Sequence, residues 1–376
     1  MTTERAYTLE PEVLLVEVRA AGLRQKGGAG LPLAERWEAV RQSPGAGKVV
    51  ICNAVDGDRR TGVARFVLRR DPRSVLEGLL IGARAVGADT CIVCVSDEYA
   101  EETAALERAV EEMAGGASLP LVRIERVPAS LAGAEETALI RGLEGRQPLP
   151  YLRAPGDVAD VNGAPTLVER AETLAAVSAL FEDRPLAEAP GAVVAVFGDV
   201  EQPSTIEIPA GTTIAGAVGV ATRGAVARAA IKAVQFGGPA SPFLTGEALD
   251  AEIEPEALRR VGCAPGWGGI EVFQCGRCGV EMARDVTARL HEESCGKCVF
   301  CREGSRQVLD ILNDVIDGKA TGEQMELMHE LGRAMKTGSI CSVGWGAALP
   351  ALSALDLFAD DFKAHLDAKR CPGGGR

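Results

Sequence analysis

Long apolar runs are missing from this sequence. No stretch approaches the ~18 consecutive apolar residues of a membrane span, and no apolar core follows the polar start Met1-Thr-Thr-Glu-Arg5 to mark a secretory leader. Basic charge is also short. Against 53 Asp and Glu stand 40 Lys and Arg, a net charge of −13, which argues against nucleic acid as the main partner because phosphate binding needs a basic surface. There is no internal repeat, and no low-complexity tract beyond the tail 373–376. Histidine is scarce, at three residues, of which His291 and His329 read as surface or internally satisfied side chains. What remains is a cytoplasmic globular chain of 376 residues, 47% hydrophobic, long enough for two or three domains.

Against these absences, eleven cysteines stand out. In a reducing compartment, clustered thiols bind metal more often than they pair. Cys52, Cys91 and Cys94 lie in apolar stretches, whereas seven fall between Cys263 and Cys341, and Cys371 stands near the end. The metal chemistry is expected in the last third.

Periodicity divides the chain. A helix is expected after Pro11, stopped by Gly22, then a glycine-rich loop Arg24-Gln-Lys-Gly-Gly-Ala-Gly-Leu-Pro32. Strand-like runs at 48–52, 90–95 and 121–125 alternate with helical patterns at 72–86 and 101–113, which predicts a parallel α/β sheet. The proline-bearing stretch 183–190 reads as a linker. A hairpin at 192–198 and 205–209 with a short helix near 214–220 reads as a small β-rich module. From Val286 onward the pattern is helical. Val308, Leu309, Ile311, Leu312, Val315 and Ile316 share one face, and Thr321 with Gln324 forms a capping box. Met325, Met328 and Met335 then read as core.

Cys295-Gly-Lys-Cys298-Val-Phe-Cys301 is a C-x2-C-x2-C triplet, and Cys341 follows a helical hairpin later. Three thiolates so spaced wrap three corners of a cubane, and a distant fourth closes it. Zinc more often uses two separated C-x2-C pairs. The triplet opens a helix, whose free N–H groups and dipole favour a negatively charged cluster, as do Lys297 and Arg302. The lone pair Cys275-Gly-Arg-Cys278 could be a redox pair, half a metal site or chance.

Glu293-Ser-Cys-Gly-Lys-Cys-Val-Phe-Cys-Arg-Glu-Gly304 and Ser339-Ile-Cys-Ser-Val-Gly344 resemble the E-S-C-G-x-C-x-P-C-R-x-G and S-x-C-x-x-G motifs of the flavin-bearing NADH-dehydrogenase subunit of complex I. The same subunit type occurs in NAD-linked hydrogenases and formate dehydrogenases. The similarity runs back along nearly the whole chain. The loop 22–37 resembles G-L-R-G-R-G-G-A-G-F-P-x-G-x-K-W, Cys52-Asn-Ala-Val-Asp-Gly-Asp58 resembles C-N-A-D-E-x-E, and Glu135-Glu-Thr-Ala-Leu, Leu143-Glu-Gly145 and Glu172-Thr-Leu174 also match.

The resemblance implies an FMN-binding-type α/β domain over 1–183, a β-grasp (ubiquitin-like) module over 190–245, a connecting segment 246–285 and a helical [4Fe–4S] domain over 286–376. The amino-terminal thioredoxin-like domain fused in some relatives is not expected. It implies FMN contacts by Gly27, Gly28, Ala29, Gly30, Arg36, Asn53, Asp56, Asp58, Glu135 and Glu136, and cluster ligation by Cys295, Cys298, Cys301 and Cys341. It also points to a second metal, zinc, held by Cys275, Cys278, His365 and Cys371, with Cys263 as a competing ligand. Partners would be other iron–sulfur subunits, among them a thioredoxin-like [2Fe–2S] subunit.

The departures matter as much. Gln25 and Lys26 replace Gly and Arg, Arg36 replaces Lys, Val55 replaces Asp, and Asp56 and Asp58 replace Glu. Glu169 and Arg170 stand where the family has paired Asn. Leu31, Ala39 and Leu131 replace three aromatics that hold the NADH rings, and ring stacking contributes about 0.5–1.5 kcal/mol per pair. The expected function is a diaphorase-like (NADH/FMN/[4Fe–4S]) electron-transfer subunit with a degraded NADH site. The alternative is a non-catalytic electron-relay or scaffold subunit that has lost NADH binding, with or without FMN.

Overall fold

The computed structural model describes residues 6, 9–45, 47–113, 120–154, 157–182 and 191–373, so the expected linker 183–190 lies outside the described residues. The chain divides into two units: Met1–Pro148, Arg153–Val194 and Thr205–Ala210 make the first, and Leu149–Leu152, Ala195–Ser204 and Gly211–Arg376 the second.

The first unit runs α1 (Pro11–Ala20), α2 (Leu33–Gln42), β1 (Lys48–Ala54), α3 (Val63–Arg70), α4 (Pro72–Val86), β2 (Ala88–Ser96), α5 (Ala100–Met113), β3 (Leu121–Val127), α6 (Glu136–Leu143), β4 (Ala159–Val161), β5 (Ala164–Arg170) and α7 (Ala171–Leu180). Its sheet has the order β3-β2-β1-β5-β4. The first four are parallel, and β4 runs antiparallel to β5. β1 is buried along nearly its whole length, because crossover helices cover both faces of a parallel sheet and its sequence is accordingly apolar throughout.

Local chemistry sets the helix bounds. Asp71 accepts from the Ser74 N–H at 3.0 Å, Pro72 opens α4, and Gly87 at φ +75° ends it. Gly78 lies against the Leu174 backbone of α7 with no room for a Cβ, which lets the two helices pack closely.

A second sheet follows, from β6 (Ala192–Gly198), β7 (Ser204–Ile208), α8 (Ile214–Ala221), β8 (Ile231–Phe236), β9 (Phe243–Leu244), α9 (Pro255–Arg260) and β10 (Gly269–Gln274). The order is β7-β6-β10-β8-β9, with β10 parallel to β6 and antiparallel to β8. The stretch 246–285, expected as a connection, therefore supplies the central strand. Ile270 and Val272 of β10 are fully buried. The strand was hidden in the sequence because its partners precede it by a long interval and no turn residue links them.

The helical part comprises α10 (Gly279–Glu292), α11 (Val299–Ile316), α12 (Gly322–Gly338), α13 (Ser342–Gly346), α14 (Leu349–Leu357) and α15 (Ala359–Leu366). It begins at Gly279 rather than at Val286. The capping box of Thr321 and Gln324 is formed, and Met328 and Met335 are fully buried. Gly304 on α11 faces the Met335 side chain, where a Cβ would stand 2.6 Å from its Cγ. No single described helix is long and apolar enough to cross a membrane.

Candidate cluster and cofactor sites

The four cysteines expected at the cluster sit at chain turns. Cys295 precedes Gly296, whose φ of +76° bends the segment. Cys298 is the N-cap of α11 and Cys301 lies in its first turn. Cys341 is the N-cap of α13. Thiolates at these helix starts face unpaired N–H groups, a placement worth about 0.3–1 kcal/mol for an anion. Arg302 donates to the Gly296 carbonyl at 2.5 Å and Lys297 to the Pro150 carbonyl at 2.5 Å, which fixes the cysteine loop. The Trp345 indole N–H donates to the Ser339 carbonyl at 2.7 Å, pinning the Cys341 turn. Cys301 is buried and Cys295 exposed.

Burial pushes the Cys301 thiol up, the Ser294 hydroxyl 3.4 Å from its sulfur opposes this, and the neighbouring Cys295 and Cys298 push it further. These sulfurs do not converge as ligands of a single ion do; among the described residues only another group has ligand atoms within 4.8 Å of one another. A wider set of thiols suits a polynuclear cluster. One more group fits it. Ser339 is 7% exposed and its hydroxyl has no hydrogen-bond partner among the described residues. That hydroxyl and Cys301 Cβ both abut Gly344, at 2.6 and 3.2 Å from where a Cβ would stand. A [4Fe–4S] cluster fits this donor set.

The second group is Cys278, His365 and Cys371. Cys278 Sγ and His365 Nε2 are 3.3 Å apart, and His365 Nδ1 lies 3.3 Å from the Ile316 carbonyl. That carbonyl takes the Nδ1 proton and leaves Nε2 as a lone pair aimed at the thiols, as metal-bound imidazoles are held. Burial, with Cys371 beside it, pushes the Cys278 thiol up to about 11. Cys275 stands apart. Its N–H donates to the Ala230 carbonyl at 2.8 Å and its thiol lies exposed, 3.6 Å from the Ala229 carbonyl, because Gly276 at φ +97° turns the chain between the two cysteines. Cys263 is buried elsewhere, its thiol pushed up to about 12 by burial.

In the first unit, the residues expected at the flavin gather where β1 and β5 end. Asn53 donates to the Ala134 carbonyl at 2.9 Å. Asp56 is fully buried and accepts from Ala64 N–H at 3.0 Å and the Tyr99 hydroxyl at 2.8 Å. Burial raises its pKa, with Arg170 opposing. Asp58 pairs with Arg60 at 2.8 Å. Glu135 caps α6 by accepting from Thr137 and Ala138 N–H. Arg36 bonds Glu169 at 3.3 Å, Glu136 at 3.2 Å and the Val168 carbonyl at 3.1 Å, while Arg153 holds the other Glu136 oxygen at 2.8 Å. Gln25 donates to the second Glu169 oxygen at 3.0 Å. Burial raises the pKa of Glu169, with Arg36 opposing. Gly28 and Gly30 adopt φ +61° and +65°, and Gly28 and Ala29 are exposed.

Gly27 is buried, and a Cβ there would stand 2.5 Å from Arg170 Cδ and 2.8 Å from Glu172 Oε1. Arg170 Nε donates to Glu172, and Arg170 Nη2 lies 3.9 Å from Asp56. The chain's own Arg170 and Glu172 side chains thus lie against the glycine loop at Gly27. The substitution of charge for the Asn pair was visible in the sequence; that Arg170 closes on Gly27 was not. Of the three positions that lost an aromatic, Leu31 and Ala39 are exposed and Leu131 is buried.

Known proteins place this arrangement. Residues 18–179 match the Nuo51 FMN-binding domain, and residues 281–365 match the NADH-ubiquinone oxidoreductase-F iron–sulfur binding region. The second F-type subunit of NADH-quinone oxidoreductase in Rhizobium meliloti is 30% identical over 96% of this chain and 90% of its own length. The HndC subunit of the NADP-reducing hydrogenase of Solidesulfovibrio fructosivorans is 30% identical over 98% and 79%. A crystal structure of an NAD+-reducing [NiFe]-hydrogenase in the H2-reduced state superposes with a TM-score of 0.85 at 30% identity, covering 98% of this chain and 64% of that one. This chain therefore spans less than two thirds of that hydrogenase chain. With two separate regions matched and a relative at 30% identity covered almost end to end, the chain belongs to the family of F-type subunits of NADH-quinone oxidoreductase.

Proposed function

We propose that this chain is an electron-transfer subunit of a multi-subunit oxidoreductase, carrying a [4Fe–4S] cluster on Cys295, Cys298, Cys301 and Cys341 and unable to oxidise NADH efficiently by itself. The observation that carries this reading is the cluster site: thiols at the starts of α11 and α13, with the unpartnered Ser339 hydroxyl beside them. The cluster supplies one-electron chemistry. The chain's part is to orient the thiolates, to bury Cys301, to leave Cys295 at the surface where a partner centre can approach, and to hold the Ser339 hydroxyl beside the site.

Partner iron–sulfur subunits, including a thioredoxin-like [2Fe–2S] subunit, and a cytoplasmic location belong to the same reading. The second sheet, with β6 and β10 as a parallel central pair and α8 between them in sequence, supports a β-grasp module extended to Gln274. Cys278, His365 and Cys371 would hold zinc with three protein ligands.

The weakened nucleotide site rests on Leu31, Ala39 and Leu131. Aliphatic side chains fill volume without stacking a nicotinamide, and a misplacement of about 1 Å can cost a hundredfold in rate. Purified chain should therefore give little NADH-driven dye reduction. Brisk oxidation saturating at micromolar NADH would overturn this part of the reading.

A further inference from the structure

The carboxyl ends of parallel strands are where open α/β sheets bind their ligands. Here β1 and β5 pair in parallel with Cys52 opposite Glu169 and Asn53 opposite Arg170, so the two charged residues that replace the family's Asn pair stand at that edge. We infer that Arg170, held by Glu172, occupies the anion cradle of the glycine loop, so that the FMN-binding-type domain of this chain excludes FMN. The inference rests on reading the loop as the flavin end of the family's fold.

Room, donors and charge point the same way. Arg170 and Glu172 lie against Gly27, at 2.5 and 2.8 Å from where a Cβ would stand. Four of the loop's backbone donors already have partners within the chain. Gln25 N–H bonds the Leu31 carbonyl at 2.9 Å, Lys26 N–H the Thr173 hydroxyl at 3.0 Å, Gly30 N–H the Gly27 carbonyl at 3.3 Å, and Leu31 N–H the Gln25 side chain at 3.4 Å. A nest that cradles phosphate needs such N–H groups free.

The guanidiniums at this edge are matched by carboxylates. Arg170 is set between Glu172 and Asp56, Arg36 between Glu169 and Glu136, Arg153 on Glu136 and Arg60 on Asp58. Glu172 is 7% exposed and its Oε2 has no hydrogen-bond partner among the described residues. Glu172 is shared with the family, so a phosphate arriving at Gly27 would have to displace the Arg170 side chain that pairs with it. The arrangement is an internal ion pair standing where a ligand would stand.

Equilibrium dialysis of the full chain, purified anaerobically, against FMN and riboflavin tests this. The wild type should retain no flavin and bind neither. The double variant Glu169→Asn with Arg170→Asn, which restores the family's pair, should bind FMN at least about tenfold more tightly than wild type. Removing a buried arginine can unfold a domain, so the wild-type measurement stands on its own: one FMN per wild-type chain, weakened by Arg170→Asn, would make Arg170 a phosphate ligand and overturn the inference. A folded double variant that still ignores FMN would overturn it too. Iron content, measured on the same samples, reports separately on the cluster reading, which an altered flavin result leaves untouched.

Discussion

At the scale of single residues, one methyl group tests how the Cys341 turn is held. A Cβ on Gly344 would run into the Ser339 side chain and come within 3.2 Å of Cys301 Cβ. Gly344→Ala must therefore push the Cys341 turn away from α11, or push Ser339 and Cys301 out of place. Overpacking of this kind costs about 1–3 kcal/mol. The expected outcome is a lower melting temperature and a lower iron content, although all four cysteines remain. Wild-type iron and wild-type stability in that variant would show that the turn does not depend on this contact. Residue-scale features of this sort were partly legible in the sequence. The triplet Cys295, Cys298 and Cys301 is local, so spacing alone reveals it. The contacts among Gly27, Arg170 and Glu172 join a loop near the start of the chain to the end of β5, and neither partner marks the other in sequence.

At the scale of elements, the end of α15 and the tail beyond it carry the second candidate metal site. His365 lies in α15, Cys371 follows it, and Cys278 caps α10. Gly373 packs on the Cys278 segment, where a Cβ would stand 2.9 Å from the Cys278 nitrogen. Two thiolates and one imidazole favour tetrahedral zinc. Deleting residues beyond Leu366, or changing His365 to Ala, should remove about one zinc per chain and loosen the tail from α10 while the iron stays. Zinc content unchanged by both alterations, or absent from the wild type, would contradict the site. Elements with their own punctuation were readable: Asp71, Pro72 and Gly87 bound α4 within a few residues of its ends. β10 was not, since a central strand is defined by neighbours that the chain visited much earlier. Cys275 was drawn toward the metal site by its C-x2-C spacing. The Gly276 turn sends it to the Ala229 and Ala230 carbonyls instead.

At the scale of the whole molecule, the proposed reading sets the family's two functional regions apart. The iron–sulfur region keeps its thiols, the glycine that admits them and an unpartnered hydroxyl. The flavin-type domain keeps its parallel sheet and glycine loop, but paired charges stand at the ends of β1 and β5 and the three positions expected to hold the nucleotide rings carry Leu31, Ala39 and Leu131. Under the proposed reading, such a chain passes electrons singly and takes them from a partner subunit. The most direct test is an anaerobic reductive titration of the purified chain, followed by its visible spectrum. The account predicts about one reducing equivalent per chain, bleaching the broad absorption of a [4Fe–4S] cluster with no flavin band. Uptake of about three equivalents, two into a flavin and one into the cluster, would contradict it.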